Sequence, residues 1–147
     1  MKKSLLLFGS LFLLAFTFYS FAQESSVQGG PEITFEKEVH DYGTVQQNGN
    51  GECEFVFTNT GNEPLIISKA QGSCGCTVPQ WPSEPIKLGE SAVIKVKYDT
   101  KRVGPINKQV TITSNAVNEP TKIIRIRGTV VAAPTAPIKS PEGPTAQ

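Results

Sequence analysis

An all-β, immunoglobulin-like two-sheet antiparallel β-sandwich of about seven strands is the fold this sequence predicts. Three observations carry it. Between residues 32 and 131, short runs rich in β-branched and aromatic residues recur, separated by Gly, Asn, Asp and Pro. Several runs alternate apolar and polar side chains, the pattern of a sheet with one face on a core and one in water. No window carries a persuasive helical period.

The elements follow in order. Ile33-Thr34-Phe35 is a first short strand, and His40 to Val45 a second extended piece. Gln47-Asn48-Gly49-Asn50-Gly51 reads only as a turn. Cys53 to Thr58 puts Cys53, Phe55 and Phe57 on one face. Asn59 to Asn62 turns the chain, and Pro64 to Ala70 is a further strand whose inner face the adjacent Ile66 and Ile67 leave open. Pro79, Pro82 and Pro85 argue against regular pairing between Thr77 and Ile86. Ala92 to Tyr98 turns Ala92, Ile94, Val96 and Tyr98 inward and Lys95 and Lys97 outward. Lys108 to Thr113 sets Val110 and Ile112 inward. Thr121 to Val131, the last strand, does so with Ile124, Ile126 and Val130, leaving Arg125 and Arg127 in water.

Both ends read differently. Lys2 and Lys3 precede an uncharged apolar run from Ser4 to Ala22, closed by the small-x-small site Ser20-Phe21-Ala22. The run approaches membrane-spanning length. Its interruptions at Ser10, Thr17 and Ser20 and its processing site favour a secretory signal peptide over residues 1–22, cleaved near Ala22. Residues 23–31 are polar and Gly-rich, a flexible leader. In residues 132–147, prolines at 134, 137, 141 and 144 among Ala, Thr, Ser and Gly predict a disordered, extended tail. The sandwich is thus expected over 32–131.

Export sets compartment and charge. Loss of Lys2 and Lys3 takes the 14 basic residues to 12 against 13 acidic ones, a net charge of −1. That balance offers neither a nucleic-acid footprint nor a polybasic membrane patch. After cleavage, no stable membrane insertion is expected, and the location is periplasmic or extracellular. Three cysteines in an oxidising compartment leave one thiol beyond any single bridge.

The stretch Ser73-Cys74-Gly75-Cys76-Thr77-Val78-Pro79-Gln80-Trp81 holds two of the three cysteines and the single tryptophan. Together with His40-Asp41-Tyr42-Gly43-Thr44-Val45, Phe55 to Gly61, Gly104 to Lys108 and Thr113-Ser114-Asn115, it resembles the bacterial domain of unknown function 1573. The resemblance runs from about Glu32 to Val131. It implies an exported protein, often from Bacteroidetes, with an immunoglobulin-like sandwich, and it brings no established activity. Cys53 falls outside the motif.

Cys74 and Cys76 admit four readings. They bridge each other across Gly75, one of them pairs with Cys53, they hold a soft metal such as Cu(I), or they stay free. The leading expectation is a Cys74–Cys76 disulfide, with Gly75 allowing the backbone to fold at positive φ and Cys53 a packed, buried thiol. A closed zinc site needs four N or S ligands, and only Cys53 and His40 remain to complete one. A Cys–His nucleophile with His40 lacks an orienting Asn or Asp at recognisable spacing. Thr77 and Trp81 mark a possible binding loop, although the commoner place for such an indole is over the end of the core.

No catalytic residue and no cofactor is expected. The leading function is a non-catalytic structural or partner-binding module that meets protein or glycan at the cell envelope. The alternative is a redox-active or Cu(I)-binding protein that uses Cys74 and Cys76.

Overall fold

A computed structural model describes residues 29–134. The expected signal peptide, residues 23–28 of the expected leader and residues 135–147 of the expected tail lie outside the described residues. Eight strands form: β1 (Ile33–Phe35), β2 (Val39–Gln46), β3 (Glu52–Asn59), β4 (Ile67–Gly72), β5 (Thr77–Gln80), β6 (Ser91–Tyr98), β7 (Gly104–Ser114) and β8 (Thr121–Val131). They make two four-stranded sheets, ordered β1-β3-β6-β5 and β2-β8-β7-β4. The fold is the two-sheet sandwich the alternation calls for. One pair departs from antiparallel: β2 runs parallel to β8, with Val39 opposite Arg125.

The core lies between the sheets. Phe55 and Phe57 on β3 and Ile94 and Val96 on β6 are essentially inaccessible, as are Val110, Ile112, Ile124, Ile126 and Val130 from the facing sheet. Arg125 and Arg127 remain exposed, as a period of two requires. Ile67 is the buried member of its adjacent pair, and Ile66 is exposed.

Two readings of the sequence are corrected. The prolines do not keep 77–86 unpaired: Thr77 to Gln80 pairs with β6 in register Thr77↔Tyr98 to Gln80↔Lys95. The physical reason is position. β5 is an edge strand, and the Asp99 N–H donates to the Cys76 carbonyl at 2.9 Å. Alternation then aims the backbone groups of Val78 and Gln80 at β6 and those of Pro79 away, so the missing N–H is not needed for pairing. Beyond Pro85, Ile86 exchanges two backbone bonds with Leu65, at 2.9 and 2.8 Å. The flexible leader also ends earlier than expected. Gly30 and Pro31 are buried, and their carbonyls accept from Asn62 at 3.0 Å and Val117 at 2.8 Å.

One buried polar side chain organises the loops. Asn59, with no exposed surface, donates from Nδ2 to the carbonyls of Glu63 at 2.7 Å and Ile86 at 2.9 Å. Its Oδ1 accepts from the Gly61 N–H at 3.1 Å. Every side-chain polar atom buried among the described residues has a partner, as native cores require.

Candidate functional site

Residues 73–76 cross from β4, at the edge of one sheet, to β5, at the edge of the other. Backbone bonds hold this crossing on three sides. The Ser73 N–H donates to Gln109 of β7 at 2.8 Å, and the Thr77 N–H closes a tight turn on the Cys74 carbonyl at 3.1 Å. The bond from Asp99 to Cys76 completes the frame. Gly72 is required just before it: a Cβ there would lie 2.0 Å from the Thr77 carbonyl oxygen.

Within that frame the structure draws Cys74 and Cys76 into a disulfide, with Cα atoms 5.2 Å apart. Both residues are partly exposed. Gly75 does not take the positive φ that the sequence reading allowed it. Its contribution is space, since nothing lies within 4 Å of where a Cβ would stand. With the sulfurs bonded to each other, neither is a thiolate ligand, and no group of three metal-ligating side chains occurs among the described residues.

Thr77 and Trp81 part company. Thr77 is only 3 % exposed, and its Oγ1 lies 3.6 Å from the Cys74 sulfur and 3.9 Å from that of Cys76. Its side chain supports the disulfide from beneath. Trp81 is 37 % exposed and lies outside the buried core. Val78, one strand position after Thr77, is 53 % exposed. A shallow groove beside the turn is bordered by Gly75, Cys76, Val78, Glu52, Lys97 and Lys101. The sequence showed Val78 only as a member of the cysteine motif; its outward direction depends on the β5 register.

Cys53 is buried and free, and burial pushes its thiol above the ordinary range. It lies on β3, away from the turn. His40 is also elsewhere, its ring edge-on to Tyr42 at 4.6 Å and to Phe55 at 6.4 Å. Burial first, and Lys37 second, hold its imidazole below the usual range. The structure therefore does not join His40 and the cysteine pair into one site. Asp41, next to His40, accepts from the Gly43 N–H at 2.8 Å and from Arg127 Nε at 2.9 Å. These bonds hold its carboxyl below the ordinary carboxylate range.

The family profile described as "Protein of unknown function (DUF1573)" matches residues 33–130. The chain belongs to this family. Its domain limits in DUF1573 coincide with the strands, from the start of β1 to the penultimate residue of β8. Among solved structures, this DUF1573 domain is similar to a protein of unknown function from Porphyromonas gingivalis W83, at TM-score 0.60 and 15 % identity, covering 67 % of this chain and 46 % of that one. The chain thus spans less than half of that protein. It is also similar to a PapD-like domain of human CEP192, at TM-score 0.56 and 10 % identity, covering 70 % and 87 % of the two chains. For the YadV chaperone the values are TM-score 0.51 and 12 % identity, with 72 % and 55 % covered. At these identities the likeness is one of fold. No curated protein matches the chain. No helix among the described residues is long and apolar enough to cross a membrane.

Proposed function

We propose that this DUF1573 domain is an exported, non-catalytic module that binds a protein or glycan partner at the bacterial cell envelope, through the rim formed by β5 and the cysteine turn. The observation that carries the reading is the exposure of Val78 beside a turn held on three sides by backbone bonds, with Trp81 also exposed just past the other end of β5. Apolar and aromatic side chains on a rigid frame offer contact area at little entropic cost. The PapD-like fold supports the class of function by analogy.

Strand addition at β5 is disfavoured. Its outward N–H groups belong to Thr77 and Pro79; the first is bonded to Cys74 and the second does not exist. Recognition therefore falls to side chains. A photo-crosslinking residue in place of Trp81, in cells producing the full chain, tests this. A discrete adduct that Val78→Ser weakens is the expected result. No adduct at position 81, with the domain exported and folded, removes the β5 rim as the contact surface.

A further inference from the structure

The disulfide is redundant as a staple. Cys74 and Cys76 enclose a minimal loop, so the bond restricts the unfolded chain little. The turn is already held by the bonds from Ser73 to Gln109, Thr77 to Cys74 and Asp99 to Cys76. Breaking the S–S bond leaves that frame standing. A buried disulfide would be inert all the same, but this one lies at a partly exposed turn with open space above Gly75. Exposed disulfides of this kind are the labile ones.

Thr77 supplies the second, independent observation. Its hydroxyl belongs to a residue with 3 % exposure, and the only side-chain hydrogen-bond partners of Oγ1 among the described residues are the two sulfurs. A buried hydroxyl wants a strong acceptor, and a disulfide sulfur is a weak one. A thiolate at the same place is a strong one, because hydrogen bonds to charged groups are about twice as strong as neutral ones.

We infer that, beyond partner binding and in place of a purely non-catalytic role, Cys74–Cys76 is a thiol–disulfide exchange site, with Thr77 as the positioning residue that donates to the thiolate released when the bond opens. The direction is assigned from two observations, the groove and the position of Thr77. The groove is bordered by Gly75 and Cys76 but not by Cys74, and the incoming thiolate is accordingly assigned to Cys76, with Cys74 as the departing sulfur. Thr77 Oγ1 is also nearer the Cys74 sulfur, at 3.6 Å against 3.9 Å. The substrate class is a dithiol of another exported protein. Its first thiolate forms a mixed disulfide with Cys76 and releases Cys74 as thiolate. Its second thiolate attacks the substrate sulfur of that bond, closes the substrate disulfide and releases Cys76. Two electrons and two protons pass from the substrate dithiol to the Cys74 and Cys76 sulfurs. The reverse sequence, with a substrate disulfide as oxidant, regenerates the bridge. Cys53 takes no part, because it is buried on β3.

The test uses the oxidised, exported chain in glutathione buffers of graded ratio, with acid quench, alkylation and peptide mapping. The expected results are reversible reduction of Cys74–Cys76 in the folded domain and a trapped glutathione adduct on Cys76. Thr77→Val, at unchanged circular dichroism, slows reduction by dithiothreitol about tenfold, the size of one charge-assisted hydrogen bond, and moves the alkylation midpoint of reduced Cys74 to higher pH. Thr77→Ser restores both. A bridge that resists reductant until the domain unfolds overturns the proposal, whatever the variants do. An adduct mainly on Cys74, or a Thr77→Val chain with wild-type rate and pH profile, overturns the assigned direction and the role of Thr77.

Discussion

The Tyr42 hydroxyl donates a 2.7 Å hydrogen bond to the Gly51 carbonyl, tying the edge strand β2 of one sheet to the residue just before β3 of the other. The same carbonyl accepts the Tyr98 N–H at 2.8 Å. Tyr42→Phe therefore removes one of two donors and leaves no orphaned acceptor. The expected loss is about 1 kcal/mol by urea titration, the ordinary net worth of such a bond. A loss above about 3 kcal/mol would mean that the phenol does more than bridge the sheets.

The alkaline limb of stability should report the same corner of the molecule. Burial, with Cys53 as neighbour, holds the Tyr42 phenol well above its ordinary 10.0, and burial holds the Cys53 thiol above 9.0. Both folded values are raised, so both groups contribute fully below their unfolded values. That stability drains as pH climbs, because the unfolded chain loses the protons first. Urea midpoints should decline from about pH 9 upward, and Tyr42→Phe should shallow the decline above about pH 10. An equal slope in the variant would contradict the assignment.

Asn59→Ala should be more costly than its place in a turn sequence suggests. It strips partners from the Glu63 and Ile86 carbonyls and the Gly61 N–H. With the residue fully buried, the expected destabilisation is about 3 kcal/mol. Calorimetry of the variant checks it, and a change under about 1 kcal/mol would show that water replaces the amide.

Phe55→Ala and Phe57→Ala each remove a ring with no exposed surface. Each should cost about 3–5 kcal/mol by denaturant unfolding. Since Phe57 stacks at 5.5 Å on the partly buried Phe35, its cavity has a neighbour able to move, and the smaller loss of the two is expected there.

Gly72→Ala tests the frame of the cysteine turn. The added methyl would meet the Thr77 carbonyl at 2.0 Å, and backbone at that range cannot simply swing aside. A loss of about 2 kcal/mol, with faster reduction of Cys74–Cys76 in dithiothreitol, is the expected outcome. Unchanged thermal melting would imply that the turn is looser than its hydrogen bonds indicate.

Local pattern was enough for much of this domain. Period-two alternation placed Cys53, Phe55, Phe57, Ile94, Val96, Ile124, Ile126 and Val130 on the inner face, and all are buried. The reason is that in a half-wet sheet a side chain's direction follows from its own position in the strand. The resemblance to DUF1573 likewise rested on contiguous motifs, and the matched residues agree with it. What pattern could not decide depended on neighbours distant in the chain. Pro79 looked incompatible with pairing until β5 proved to be an edge. The parallel partnership of β2 with β8 joins segments more than eighty residues apart, and nothing local records which strands become neighbours. Thr77 and Val78 are adjacent in the sequence, yet only the register against β6 turns the first under the disulfide and leaves the second in water. The chemistry of the site is written in Cys-Gly-Cys-Thr. Its direction comes from packing, because a side chain's partners are fixed only when two sheets close on each other.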